Sequence, residues 1–363
     1  MSKVHIFSVM RGSTDDETIK SIRQTANYAF DGFSWLMPGE AVWLKVALNS
    51  KDPHPATTDW RAIRAVADEI QMRGGRVVVA DQSGIEYDKE GNALTSPSEY
   101  CFGKSGMAEC GEKFLALENH GFERLMIKEA AHWPDGFRVS RLLLQVDHII
   151  NLPRISGHGQ ASESLGAKNW VGALYRNDRY QFHAQGPLYW YIRWIKMGSS
   201  EKLPAKSQER HFDEMIAELA LAFRHKLRGT LFAATKVQTT LGPNKHLLTF
   251  FGRIGLFKSC VLEPETGLII ASDDQVAADA TALAFLFECY ERTPWFRRFL
   301  QWIMVTVNGR IRLPGYDIWT NPVIARQLEL KLGERPTALI GHNMPASLFE
   351  SLQKKLGINH RAF

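Results

Sequence analysis

Cysteine is scarce in this chain: Cys101, Cys110, Cys260 and Cys289 are the four among 363 residues, and no two have C-x-x-C spacing. That excludes a disulfide framework and, without a C-x-x-C-x-x-C run, a built-in ferredoxin-type iron–sulfur centre; buried thiols in a reducing compartment are the expectation. Charge of one sign is scarce too. The 44 Lys and Arg against 39 Asp and Glu leave a net charge of +5, too thin an excess to mark a nucleic-acid surface without clustering. No stretch approaches the ~20 consecutive apolar residues of a membrane-spanning helix, so no stable membrane insertion is expected. The opening MSKVHIFSVMRGSTDDETIK has no basic segment followed by an apolar run and turns acidic at Asp15-Asp16-Glu17, so a cytoplasmic location is expected. No G-x-x-x-x-G-K-S/T, helix-opening G-x-G-x-x-G or G-x-S-x-G occurs, which removes the standard nucleotide cradles and the hydrolase elbow.

What is present is the material of a globular α/β protein, 45% hydrophobic and unusually aromatic, with Trp 10 and Phe 20. Ala41–Leu48 reads as a buried strand and Asn49–Pro55 as a loop that Pro and Asp keep from continuing it. Thr57-Thr58-Asp59 offers a cap, and Ile63, Val66, Ala67 and Ile70 recur at helical spacing until Gly74-Gly75. Arg76–Ala80 is then a second strand ending in Asp81-Gln82-Ser83-Gly84. This is a β-α-β unit, whose strands are parallel.

The grammar repeats along the chain. A helix is expected over Met107–His120, an apolar run over Arg141–Val146, and a strand over His148–Leu152 entering a polar loop. Residues 183–229 look like a helical insertion carrying Phe212, Met215, Ile216, Leu219 and Phe223 on one face. Strand patterns resume at Gly229–Ala234 and Gly267–Ser272, followed by a helix from Val276 to Tyr290 with Asp273 and Asp274 at its start. The end adds an apolar run Ile303–Val307, a helix Asn321–Leu332, a strand Thr337–Ile340 and a helix Ala346–Leu356. The expected fold is α/β, a mostly parallel sheet built from β-α-β units, with residues 1–290 as the core and 291–363 as a C-terminal α/β extension packed on it.

The densest polar segment is Asn151–Gly172, where glycines, hydroxyls, His158, Lys168 and Asn169 follow a strand end. Donors there suit an anionic ligand, and an imidazole suits proton transfer at neutral pH. His158 stands between Gly157 and Gly159, and Lys168 and Asn169 stand beside it if Ser164 caps a helix through Trp170. The candidate set is therefore His158, Lys168 and Asp81 for catalysis, and Lys168, Asn169, Ser164, Asn49 and Asn151 for holding a ligand or cofactor, with loops after parallel strands as the reason. His54, His158 and His342 would make a metal site if they converged.

Four ordered segments carry a family resemblance: VWLKVALNSKDPHPATTDWRAIRAV, GGRVVVADQSG, DHIINLPRISGHGQASESLGAKNWVG and GLIIASDDQVAADATA. Over roughly residues 40–285 the chain resembles the domain-of-unknown-function 362 family, whose biochemical role is largely undefined. More distantly, the His158-to-Lys168 segment is similar to one in nickel-pincer lactate racemases. That similarity implies a histidine acid/base at His158 and a lysine-held cofactor at Lys168. The family's second histidine in a His-Arg-Pro context and its Asp-Asp-x-Thr-Arg-Pro loop have no counterpart here, where Asn49–Pro55 stands.

The functional expectation is a cytoplasmic enzyme that acts on a small, anionic metabolite by His-mediated proton transfer, with isomerase-like or cofactor-dependent redox chemistry and a metal ion or nickel-pincer-type group as the candidate cofactor. The alternative is a non-catalytic cofactor-binding or electron-transfer accessory protein. Two aromatic stretches, Tyr189–Lys196 and Trp295–Trp302, are expected to pack or to join copies into a homo-oligomer rather than to meet a membrane.

Overall fold

The computed structural model describes residues 2–84, 97–158, 161–184, 211–242, 259–307 and 316–358. Its strands, in chain order, are β1 (Lys3–Met10), β2 (Ala41–Val46), β3 (Arg76–Asp81), β4 (Phe114–Ala116), β5 (Phe122–Leu125), β6 (Phe137–Ser140), β7 (His148–Leu152), β8 (Ser156–His158), β9 (Ser162–Ser164), β10 (Leu227–Ala234), β11 (Val237–Gly242), β12 (Val261–Leu262), β13 (Thr266–Ser272) and β14 (Ala338–His342). Eight form one sheet in the order β14-β1-β13-β10-β7-β2-β3-β4. All run in one direction except β13, which is antiparallel to both β1 and β10. The fold is α/β with a mostly parallel sheet.

Every residue of β2 and β7 is buried, as expected of parallel strands covered on both faces. The helix Trp60–Met72, capped by the Asp59 side chain on the Arg61 N–H, packs Ile63, Val66 and Ile70 on one face beside the helix Asp15–Ala29. Alternation sends Ile6, Phe232 and Ile270 to the opposite face, against the helix Gln275–Glu291. Trp43, Trp170 and Phe223 fill the rest of that second face. A smaller sheet, β12-β11-β8-β9, rises from the carboxyl edge of the large one, because β8 follows β7 and β11 follows β10 across short connections.

Several expectations are corrected. Met107–His120 is not one helix: a 3-10 turn over Met107–Cys110 stops at Gly111, whose φ is +83°, and the chain then adds β4 to the edge of β3. Leu142–Gln145 is a helical turn, with Leu142 and Leu143 buried and Leu144 exposed. Ile303–Val307 continues a helix that starts at Trp295. The 183–229 insertion is too long at its end, since β10 begins at Leu227, and residues 185–210 lie outside the described residues. The 291–363 stretch supplies an edge strand of the core sheet itself, β14 beside β1. The aromatic stretch 189–196 also lies outside the described residues, whereas Trp295 is not packed but exposed.

Candidate active site

The chain lays β2, β3 and β4 outward in one direction, then returns to set β7 on the other side of β2 and β10 beyond it. The strand order therefore reverses between β2 and β7. In an open parallel sheet the crevice outside the carboxyl ends at such a reversal is the favoured ligand position, because the connections on either side leave toward opposite faces. Here the Trp60–Met72 helix after β2 lies on one face and the Trp170 region after β7 on the other.

Two side chains bridge this crevice. Arg154 follows β7 and is 3% exposed, and its Nη1 donates to Gln238 Oε1 on β11 at 3.2 Å. With its amide oxygen turned to the guanidinium, Asn49 of the loop after β2 accepts from Arg154 Nε and Nη2 at 2.9 Å each. Burial pulls the arginine's pKa down to about 9, since removing a cation from water penalises the charged form.

Beneath the crevice lies a polar network that joins three adjacent strands. Lys45 on β2 is in register with Asn151 on β7. Lys45 Nζ meets Asp81 Oδ1 at the end of β3 at 2.7 Å and donates to the Val46 carbonyl at 2.8 Å. Asp81 Oδ2 accepts the Leu48 N–H at 2.6 Å. Asn169 donates to the Lys45 carbonyl at 3.1 Å and to Asn151 Oδ1 at 2.8 Å, while Asn151 donates to the Gly166 carbonyl at 3.1 Å. Burial lowers the Lys45 pKa, with the Asp81 charge opposing it. Gly172 makes room for the pair: a Cβ there would stand 2.2 Å from Asp81 Oδ1 and 2.9 Å from Lys45 Nζ.

The short helix Gly166–Asn169 is not capped by Ser164, which lies in β9 opposite Ser156. Asp279, from the second turn of the Gln275–Glu291 helix, accepts the Gly166 and Ala167 N–H groups at 2.8 and 2.9 Å instead. Burial raises its carboxyl pKa to about 7. Lys168 on the same helix is half-buried. Burial first, and the Lys168 charge second, push His183 down to about 3.

His158 ends β8 and is 4% exposed, with Nδ1 accepting the Ala161 N–H at 3.1 Å. A neutral ring held in this way carries its proton on Nε2. In that state Nε2 offers a hydrogen-bond donor and the Nδ1 lone pair is already engaged by the Ala161 N–H. The three histidines do not come together. His54 contacts the Thr57 carbonyl and the Thr235 hydroxyl, each at 3.3 Å, and His342 stacks on Phe7 at 4.1 Å beyond β1. Among the described residues no group of three His, Cys, Asp or Glu is placed to hold a metal ion. Among the described residues His54, His158 and His342 therefore do not form the expected metal site.

The polar residues singled out from the sequence thus divide. Asp81, Asn151 and Asn169 bond one another's strands and brace the floor of the crevice, whereas Asn49 reaches its rim. Asp273 and Asp274 belong to the opposite edge, where Asp274 caps the Ala277 N–H at 3.0 Å, because β13 runs against its neighbours. Lys45, Arg154, Gly172 and Asp279 were not singled out. Lys45 and Asp279 had a readable signal, an ionisable residue interrupting an apolar strand or an alanine-rich helix.

The family model described as Domain of unknown function (DUF362) matches residues 42–284, which span every element of this crevice. No curated protein matches the chain.

Proposed function

The chain belongs to the domain-of-unknown-function 362 family, and from that premise we propose that it is an enzyme that binds a small anionic metabolite in the crevice between β2 and β7 and transfers a proton on it. The observation that carries this reading is Arg154, a buried guanidinium held by Asn49 and Gln238 at the reversal of strand order. Asn49 and Gln238 are neutral amides, and a buried planar cation in a low-dielectric crevice attracts carboxylate or phosphate oxygens. In this reading His158 is the acid/base, exchanging a proton with the ligand at Nε2 and giving up the Ala161 N–H contact when the ring is cationic, and Lys168 is a further cation for the anion. The Lys45–Asp81 pair and the two asparagines keep the strand ends rigid beneath the ligand. Buried thiols at Cys101, Cys110 and Cys289 support a cytoplasmic location.

Calorimetric titration with small carboxylates and phosphate monoesters tests the binding. Arg154→Gln is expected to weaken the best ligand about 10- to 100-fold, as loss of charged hydrogen bonds worth about 1.5–3 kcal/mol implies. In D2O, deuterium uptake into the bound ligand followed by NMR reads the proton transfer, and His158→Gln is expected to abolish it while leaving affinity within a few fold. Ligand affinity unchanged in Arg154→Gln would remove the site. Binding without any exchange would favour the non-catalytic carrier instead.

A further inference from the structure

The helix Trp295–Val307 packs one side on β11, where buried Gln301 accepts the Leu241 N–H at 2.7 Å. Its other side is apolar and open to solvent. Trp295 is 73% exposed, Phe296 46%, Phe299 50% and Trp302 40%. At the helical angle per residue, Trp295, Phe299 and Trp302 fall in one stripe with Phe296 at its flank, and the Phe299 and Trp302 rings stack at 5.7 Å. The segment is also cationic. It carries Arg297 and Arg298, follows Arg292, and contains no Asp or Glu. The neighbouring Glu291 is engaged by Lys355 at 2.9 Å, and the Arg297 guanidinium lies 5.3 Å over the Phe296 ring.

We propose that this face lies on an anionic lipid surface, with the aromatic rings at the boundary between headgroups and acyl chains and Arg298, which flanks the stripe, on lipid phosphate. Tryptophan and phenylalanine on one side with arginine alongside is the composition of an interfacial helix. Charge decides against a second copy of the chain as occupant, because a two-fold contact would set the arginines of one copy against those of the other. No described helix is long and apolar enough to cross a membrane, so the contact is peripheral and anionic lipid supplies the electrostatic part.

The full-length chain is sedimented with phosphatidylcholine vesicles, with and without phosphatidylglycerol. The expected result is binding to the anionic vesicles at least about tenfold stronger than to the neutral ones, weakened by high salt. Trp295→Ser/Phe299→Ser/Trp302→Ser and, separately, Arg298→Glu are each expected to lose at least about tenfold in binding. An unchanged urea midpoint confirms that each variant is folded, and the charge reversal alone decides the matter if the triple variant is not. The proposal is overturned if the chain does not pellet with anionic vesicles, or if it binds neutral vesicles equally well. It also falls if the folded variants bind as the parent does, or if the chain sediments as a dimer that the triple variant turns into a monomer.

Discussion

Replacing Lys45 with Met separates charge from packing in the floor of the crevice. Methionine fills most of the volume of the lysine stem, so the substitution removes an ammonium without opening a large cavity. Lys45 is 0% and Asp81 2% exposed, and the Asp81 carboxylate would be left with the Leu48 N–H at 2.6 Å as its described donor. Breaking a buried pair from one side costs about 3–5 kcal/mol, because the remaining charge stays desolvated and uncompensated. Asp81→Asn in the same background keeps an oxygen for the Leu48 N–H and removes the charge, so the double variant is expected to recover about half of the loss, about 2 kcal/mol. The assay is urea unfolding of the parent, both single variants and the double variant. The sign with pH is fixed: an unpaired buried carboxylate takes up a proton more readily folded than unfolded, so the Lys45→Met deficit shrinks as pH falls from about 7.5 to 5. A Lys45→Met chain within about 1 kcal/mol of the parent at neutral pH, or a deficit that ignores pH, would refute the reasoning.

Three further outcomes follow from the same geometry. Gly172→Ala drives a methyl against Asp81 Oδ1 and Lys45 Nζ and is expected to cost about 1–3 kcal/mol by overpacking, read as a lower urea midpoint. Asp279, held at about 7 against about 3.9 in an unfolded chain, binds a proton that unfolding releases; its contribution therefore falls as pH climbs from about 4 to 7, on the order of a few kcal/mol, and Asp279→Asn should flatten that slope in pH-dependent unfolding. Asp274→Ala removes the acceptor of the Ala277 and Glu334 N–H groups at 3.0 and 2.7 Å; about 1–2 kcal/mol of stability is expected to go, with ligand affinity in the crevice unchanged because this edge is the far one.

Much of the framework was legible in residue order. The strand pattern of β2 and the amphipathic Trp60–Met72 helix come from local rules, apolar runs of strand length and apolar residues at helical spacing. The run Arg141–Val146 is a short apolar stretch with no period of its own, and Leu142–Gln145 forms a single helical turn. Asn151 and Asn169 were legible as members of the site region but not as partners of each other and of the Lys45 carbonyl. Hydrogen-bond donors that seem to await a ligand in a polar stretch of sequence are used up once β2 and β7 lie side by side.

The sequence by itself determined the class of fold and the family, because each rests on patterns within one stretch or on stretches in order. Only the tertiary structure decided that the order of strands reverses between β2 and β7, that Arg154 and Asn49 meet there, and that Asp279 caps a helix more than a hundred residues before it. It also decided that His54, His158 and His342 stay apart. The reason is physical: pairing between distant strands is fixed by burial of the whole sheet, and no local periodicity records which strand a chain will return to.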